Sequence, residues 1–216
     1  MMGRTVEEME IMKSKALDSG ADLIELRVDR LKSFRGWERL LEDDLPMILT
    51  NRSSREGGFF RGPDSERINV LIQGMEKGVP CVDIELSTPP GLCDKVLSQA
   101  RWEGTTAIIS FHDFSKTPPP KTLRKIARRI ESKGDIAKIV TLARNLEDVI
   151  RLLDFVGGAK LSIPLISFAM GEVGSLTRII SPLLGSPIVY ASVGKPTAPG
   201  QFDVGTAKRL LHLVGA

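Results

Sequence analysis

The chain has 216 residues, of which 42% are hydrophobic and 26% are charged, and its formal net charge is +3. This composition is typical of a globular protein and excludes a chain that is disordered, collagen-like or a coiled coil throughout. At roughly 150 residues per domain, the length allows one large domain or two small ones. The small excess of positive charge is spread along the chain, which argues against a nucleic-acid partner.

Composition also bears on location. The two cysteines, Cys81 and Cys93, are too few for a disulfide framework, so a reducing cytoplasm is the simplest location. The N-terminal residues contain no apolar run of the kind found in a secretory signal. No apolar run approaches the roughly 18 residues of a transmembrane helix, so no membrane association is expected.

Short apolar strands alternate with amphipathic helices along the chain. The predicted strands are 22–29, 47–52, 81–86, 106–113, 136–142, 161–170 and 187–193. The predicted helices are 5–19, 63–77, 92–102, 119–133, 145–156, 175–184 and a last one that ends near residue 214. Thr5 and Glu8 form a capping-box pattern at the first helix, and Asp203 is the predicted N-cap of the last.

This alternation indicates a parallel sheet with helical crossovers. Seven strands are one fewer than a (β/α)8 TIM barrel contains, and the absent strand would be the first because the chain starts with a helix. Either residues 1–4 supply a truncated piece of that strand or the barrel lacks it. An open doubly wound sheet is the alternative fold. Since no linker is visible, residues 1–216 are expected to form a single barrel domain.

Charged residues share one face of several predicted strands, because alternate side chains of a strand point to the same side. The inward-facing set comprises Glu25, Arg27, Asp29, Arg52, Asp83, Glu85, His112 and Lys138. Isolated buried ions are costly, so such a set persists only if its members pair. A polar barrel interior that contains a lysine and a histidine is typical of an active site.

Lys138 is the most informative of these residues, because it is the only charge in an otherwise apolar strand. Desolvation and the cations Arg27 and Arg52 would lower its pKa, whereas Glu25 and Glu85 would raise it. A lysine brought towards neutrality is a nucleophile for carbonyl groups. The alternative interpretation is a structural ion pair.

Histidine side chains in general can both accept and donate a proton near neutral pH, so His112 is a candidate for proton transfer, although a strand histidine can be purely structural. His212 lies on the last helix and is expected at the surface. Two histidines without a close His or Cys partner argue against a metal site. No phosphate-binding loop or dinucleotide motif is present.

Two glycine-rich loops, residues 56–62 and 193–201, follow predicted strands. Such loops at the active face of a barrel often act as lids, and a plain connector is the alternative. Arg178 lies early in a predicted helix, where its guanidinium could hold a carboxylate or could simply be solvated.

Seven pieces of the sequence, in order, resemble the type I 3-dehydroquinate dehydratase (3-dehydroquinase) family. They are residues 3–5, 25–29, 50–52 with 56–58, 110–114, 137–140, 168–171 with Arg178, and 198–201. The resemblance implies a (β/α)8 barrel, commonly a homodimer, that works without a metal or organic cofactor. It also implies a lyase of the shikimate pathway of aromatic amino acid biosynthesis, which acts on the small molecule 3-dehydroquinate.

The resemblance further implies roles for individual residues. Lys138 would form an imine with the substrate, His112 would transfer protons and Glu56 would orient and polarise the histidine. The substrate-binding set would be Glu25, Arg27, Arg52, Arg178, Thr197 and Gln201, and Phe168 and Met170 would line the pocket. Within that set Arg178 would hold the substrate carboxylate, and the loop residues Thr197 and Gln201 would be lid contacts. Many relatives have methionine at the position of Phe168 and serine at that of Thr197.

Two other functions remain open from the residues alone. One is another Schiff-base barrel lyase of the class I aldolase type, which also uses a lysine on the sixth barrel strand but usually has a phosphate site. The other is a non-catalytic carboxylate binder with a degenerate barrel.

Overall fold

A computed structural model describes residues 1–42, 45–194 and 198–216. The chain divides into two compact units, residues 1–108 and 109–216. The first unit contains helices α1 (Val6–Asp18), α2 (Asp64–Glu76) and α3 (Pro90–Glu103) and strands β1 (Ile24–Arg27), β2 (Met47–Thr50) and β3 (Cys81–Glu85). Strand β4 (Thr106–His112) begins in the first unit and ends in the second. The second unit contains β5 (Ile136–Leu142), β6 (Leu165–Met170), α4 (Pro120–Glu131), α5 (Leu146–Gly158), α6 (Ser175–Leu183) and α7 (Val204–Val214).

The three strands of the first unit are parallel and pair in chain order. Leu26, Leu49 and Val82 form one row across them and are fully buried. Helix α2 packs so closely on this row that a Cβ at Gly74 would lie 2.2 Å from Leu49 Cδ2. The apolar face of the strands therefore packs against helix α2, and alternate residues point to the opposite face.

That opposite face is polar. Arg27, Thr50 and Asp83 are register partners and form a row across β1, β2 and β3. The predicted division of charged and apolar residues between the two faces of these strands is thus confirmed within the first unit.

Met1 is the only residue before α1 that joins the β1 backbone in the described chain. Its amino group donates to the Glu25 carbonyl oxygen at 2.5 Å, and the Arg27 N–H donates to the Met1 carbonyl oxygen at 2.9 Å. Residues 1–4 therefore contribute one hydrogen-bonded residue beside β1 rather than a strand.

In the second unit β5 and β6 run parallel with six register pairs. Lys138 with Ile166, Val140 with Phe168, and Leu142 with Met170 lie on one face. On the other face, the Ala169 N–H donates to Thr177 Oγ1 of α6 at 2.7 Å. Helix α6 therefore packs against β6, and Lys138 shares its face of the strand pair with Phe168 and Met170.

The predicted strand at 187–193 is wrong. In the described part of the chain only Ser192 of this segment forms a bridge, with Asp203, through hydrogen bonds that involve the backbones of Phe202 and Val204. An apolar, β-branched segment fits a pleated half-buried surface, but strand formation also requires a hydrogen-bonded neighbour along its length. Six strands are present among the described residues instead of the seven predicted.

The two side chains predicted to cap helix starts, Thr5 and Asp203, are confirmed as N-caps. Thr5 Oγ1 accepts from the Glu8 N–H at 3.2 Å, and Asp203 Oδ1 accepts from the Thr206 N–H at 2.9 Å. Each cap satisfies a backbone donor that has no partner inside the helix. None of the helices in the described ranges has the length and apolar character needed to cross a membrane.

The loop after β2 folds back on its own strand. The Phe60 N–H donates to the Arg52 carbonyl oxygen at 3.2 Å, and the Gly58 N–H donates to the Ser53 carbonyl oxygen at 2.9 Å. A Cβ at Gly58 would lie 2.0 Å from the Arg52 carbonyl oxygen. Glycine is required there because the two backbone segments approach so closely.

We expect Gly58→Ala to destabilise the protein by roughly 1–3 kcal/mol, since the clash is with backbone and cannot be relieved by a rotamer change. Urea unfolding would measure the loss. Gly91→Ala is the matched control, because a Cβ there meets nothing within 4 Å, and it should be neutral or stabilising. Equal stabilities for the two variants would contradict the close approach.

Candidate active site

A buried ion cluster occupies the polar face of the first unit at the end of β2. Arg52 lies two residues beyond β2 and is only 2% exposed. Its Nη2 is 2.7 Å from Asp83 Oδ1 and its Nη1 is 3.5 Å from Glu85 Oε1. Burial alone would lower the pKa of Arg52, but the surrounding carboxylates, with Asp83 and Glu85 contributing most, together raise that pKa above its ordinary value. The prediction that the inward charges pair is confirmed for these residues.

Arg67 of α2 completes the cluster. Its guanidinium pairs with Glu85 and with Asp64 Oδ1 at 2.9 Å, and it donates to Thr88 Oγ1 at 2.7 Å and to the Asn51 carbonyl oxygen at 3.3 Å. Glu85 also accepts the Ser53 N–H at 2.8 Å. One helical arginine therefore fixes the carboxylate that holds Arg52.

Glu56 lies in a short 3-10 helix, Ser54–Glu56, and is 7% exposed. Ser87 donates a hydrogen bond to its carboxylate. Burial raises the pKa of Glu56 to about 7, with a smaller contribution in the same direction from Glu85, while Ser87 and Arg52 act in the opposite direction. This carboxyl group can therefore exchange a proton near neutral pH.

Arg27 and Glu25 are held at β1. The Arg27 guanidinium makes a two-pronged contact with Asp29, with Nε 2.7 Å from Oδ1 and Nη2 2.8 Å from Oδ2. Thr50 donates to Glu25 Oε1 at 3.1 Å. Arg52 interacts electrostatically with Glu25 and Glu56, and Arg27 interacts with Glu25, so the first unit brings these four residues together.

A second cluster, in the second unit, is built on aromatic rings. Lys138 is 3% exposed, and its Nζ lies 4.1 Å from the ring centroid of Tyr190. The Tyr190 ring is 5.7 Å from that of Phe168, centroid to centroid, with the planes tilted by 41°. The buried mid-strand position predicted for Lys138 is confirmed.

Arg178 lies on the other side of Phe168. Its Cζ is 4.3 Å from the Phe168 centroid, and Nη1 donates to the Tyr190 carbonyl oxygen at 3.4 Å. No carboxylate within the described ranges pairs with this buried guanidinium, and its Nε has no hydrogen-bond partner. Burial therefore lowers the pKa of Arg178 to about 10. Such a group favours an incoming anion.

Arg178 also borders a small cavity, about the size of one water molecule, in the second unit. Its other lining includes Phe168 and Tyr190. The aromatic pair and the guanidinium therefore line the same cavity.

Three further predicted residues lie at strand ends or in loops of the second unit. His112 is half-buried at the end of β4 and stacks on Phe114 at 6.2 Å. Met170 ends β6 and is 7% exposed. Gln201 is half-buried, and its loop closely approaches the residue after β6, since a Cβ at Gly200 would lie 2.3 Å from the Gly171 carbonyl oxygen. Thr197 lies outside the described residues.

Sequence reasoning missed Arg67 and Tyr190. Arg67 occupies the buried stripe of α2 with Leu71 and Met75 at a four-residue spacing, so a charge on an apolar helix face was the available signal. Tyr190 lies in the segment wrongly assigned as a strand, and only its contact with Lys138 reveals its importance.

Comparisons with known proteins identify the family of the chain. The sequence model of the type I 3-dehydroquinase family matches residues 1–216. The 3-dehydroquinate dehydratase of Methanothermobacter thermautotrophicus is 38% identical over 214 residues, which cover 96% of this chain and 92% of that relative. The crystal structure of 3-dehydroquinate dehydratase from Geobacillus kaustophilus matches with a TM-score of 0.92 and 28% identity, over 99% of this chain and 88% of that one. The crystal structure of the 3-dehydroquinate dehydratase from Aquifex aeolicus matches with a TM-score of 0.83 and 32% identity, over 95% of this chain and 94% of that one.

Parallel strands with helical crossovers, and polar side chains at their carboxyl ends, define an enzyme of the TIM-barrel class, as predicted. The chain belongs to the type I 3-dehydroquinase family, whose members are carbon–oxygen lyases.

We expect Arg67→Ala to cost about 3–5 kcal/mol of unfolding free energy, because it leaves Glu85 buried with one partner fewer. Arg55→Ala is the matched control. Arg55 also pairs with Asp64, but its side chain is 60% exposed, so its loss should cost less than about 1 kcal/mol. Chemical denaturation measures both, and similar costs would contradict the role assigned to Arg67.

The raised pKa of Glu56 predicts a pH-dependent effect of Glu56→Gln. Between about pH 4.5 and 7 the folded protein binds this proton more tightly than the unfolded chain, so wild-type stability from this group falls as pH rises through that range. The unfolding free energy of the variant, taken relative to that of the wild type, should therefore increase by on the order of 3 kcal/mol when the pH is raised from 4 to 8. Urea unfolding at the two pH values measures this change.

Glu131→Gln provides the control of opposite sign. Hydrogen bonds from Ser162 and Arg128 lower the pKa of Glu131 to about 2, so its ionised form stabilises the fold at neutral pH. This variant should lose stability relative to wild type at pH 8, and more so than at low pH. The same sign of change in both variants would show that the environment assigned to Glu56 is wrong.

Proposed function

We propose that this protein dehydrates 3-dehydroquinate to 3-dehydroshikimate through a Schiff base on Lys138, in aromatic amino acid biosynthesis. Family membership supports the reaction. The observation that carries the covalent route is the position of Lys138, a mid-strand lysine that is 3% exposed and lies against an aromatic ring. A lysine in such a desolvated position is suited to attack a carbonyl group.

The chemistry starts with the neutral amine of Lys138, which attacks the ketone carbon of the substrate. A C–N bond forms, the carbonyl oxygen takes a proton, and loss of water leaves a protonated imine. This cation draws electrons from the adjacent carbon, so the C–H bond there becomes acidic. His112 removes that proton and returns it to the departing hydroxyl group, which leaves as a second water. Hydrolysis of the imine consumes one water, restores the amine and releases the conjugated product.

His112 and Glu56 form the proton-transfer part of the proposal. A placed histidine contributes roughly 10²–10⁴-fold to such a step. The pKa of Glu56 near 7 supports a role in orienting and polarising His112, because its carboxyl group gains and loses a proton over the same pH range as an imidazole.

The remaining site residues would bind and position the substrate. Arg178 is assigned to the substrate carboxylate, which the lack of a carboxylate partner in the described protein supports. Glu25, Arg27 and Arg52 are assigned to the substrate hydroxyl groups, and Thr197 and Gln201 to lid contacts. Phe168 and Met170 would line the pocket. Positioning of this kind lowers the entropic part of the barrier.

The cellular part of the proposal is a cytoplasmic homodimer of single barrel domains that needs no metal or organic cofactor. Its partner would be the small-molecule substrate rather than nucleic acid or membrane. Leu146 and Ile150, one turn apart on α5, are 60% and 65% exposed and offer an apolar strip for association. Sedimentation of a monomer would refute the dimer.

Borohydride reduction in the presence of 3-dehydroshikimate tests the covalent route. Wild type should gain the mass of one reduced adduct, and Lys138→Ala should lose both this adduct and turnover, on the order of 10³-fold or more. Turnover is followed by the enone absorbance that appears from 3-dehydroquinate. Lys160→Ala is the control, because Lys160 is exposed and should not affect either signal.

The outcomes separate the possible functions. A Lys138→Ala variant that turns over at the wild-type rate would end the Schiff-base proposal. An adduct on wild type without enone formation would indicate a different Schiff-base lyase, and binding without either signal would indicate a carboxylate binder.

A further inference from the structure

Tyr190 is the only tyrosine of the chain, and it lies beside the proposed nucleophile. Its ring centroid is 4.1 Å from Nζ of Lys138. The face of an aromatic ring carries partial negative charge and attracts a cation within about 6 Å of its centroid. Lys138 is buried, and cation–π attraction is stronger at a site that excludes water. Loss of an attraction of this strength changes an equilibrium or a rate by roughly 5- to 30-fold.

The position of the Tyr190 ring is fixed from two sides. Phe168 lies against it at 5.7 Å, and Phe168 in turn supports the Arg178 guanidinium at 4.3 Å. Arg178 also donates to the Tyr190 carbonyl oxygen at 3.4 Å. Two buried cations therefore flank a pair of aromatic rings, with Lys138 at one end and Arg178 at the other.

Stabilisation of charge at Nζ matters at one particular stage of the proposed reaction. An imine nitrogen is less basic than an amine, and burial further favours its neutral form. Only the protonated imine withdraws electrons strongly enough to acidify the adjacent C–H bond. A site of this kind therefore needs a group that favours the cation without adding a negative charge to the reacting nitrogen.

We propose that Tyr190 is a positioning residue whose ring face keeps the Lys138 imine in its protonated, electron-withdrawing form. This inference rests on the proposed Schiff-base function. The ring face of Tyr190, rather than its phenol hydroxyl, stabilises the protonated imine. Tyr190→Phe should accordingly retain most activity, whereas Tyr190→Leu should lose roughly 5- to 30-fold in turnover at saturating substrate.

Fluorination of the ring is the sharper test, because it weakens the negative face while the ring keeps its shape. Phenylalanines that carry increasing numbers of ring fluorines are placed at position 190 by nonsense suppression, with Tyr190→Phe as the reference. The logarithm of turnover at saturating 3-dehydroquinate should fall stepwise along the series. In parallel, the absorbance of the imine formed with 3-dehydroshikimate should move to the shorter wavelength of the neutral imine.

Both readouts must change for the inference to stand. If either stays flat along the fluorine series while the wild type forms its borohydride adduct, Tyr190 has no role in imine charge, and the proposed function is unaffected. If the wild type forms no adduct at all, the Schiff-base route fails and this inference fails with it. Thermal unfolding of each variant shows that the ring series leaves the fold intact.

Discussion

The cost of burying charge governs the structure at the ends of its strands. Arg52 can lie almost fully buried beyond β2 because Asp83 and Glu85 on β3 compensate it, and Glu85 is held in turn by Arg67 of α2. Arg52, Glu85 and Arg67 each have more than one partner, and removal of any one of them leaves its partners with less compensation for the cost of their desolvation. The network also connects the polar end of the sheet to a helix that packs on the opposite, apolar face.

The second unit handles buried cations in a different way. Lys138 and Arg178 lie against the faces of Tyr190 and Phe168, and Arg178 has no carboxylate partner in the described ranges. Ion pairing would hold a cation in its charged form more firmly than a ring face does. A guanidinium that lies against a ring face therefore remains able to bind an incoming carboxylate. The first unit thus provides compensated charge at Arg52, and the second provides a guanidinium at Arg178 that is available to a ligand.

This contrast gives a physical basis for the chemistry proposed for a member of the type I 3-dehydroquinase family. Covalent catalysis by a lysine requires the same nitrogen to be neutral when it attacks and cationic when it withdraws electrons. The ring of Tyr190 attracts the cation only moderately, so this contact is compatible with both forms of the nitrogen. Glu56 in the first unit has a pKa near 7, so its carboxyl group is also accessible in both the protonated and the ionised form near neutral pH.

Local sequence patterns alone predicted the faces of several strands and the start of two helices. The two-residue period of the strands placed Lys138 in a buried apolar strand and divided the faces of β1, β2 and β3, and local hydrogen-bonding residues marked helix starts at Thr5 and Asp203. Tertiary structure alone decided which distant residues meet, because pairing across strands and helices leaves no periodic signal in the sequence. In the folded chain the segment predicted as a strand at 187–193 has an irregular backbone instead, and its Tyr190 contacts Lys138. Likewise, Arg67 of α2 pairs with Glu85 of β3.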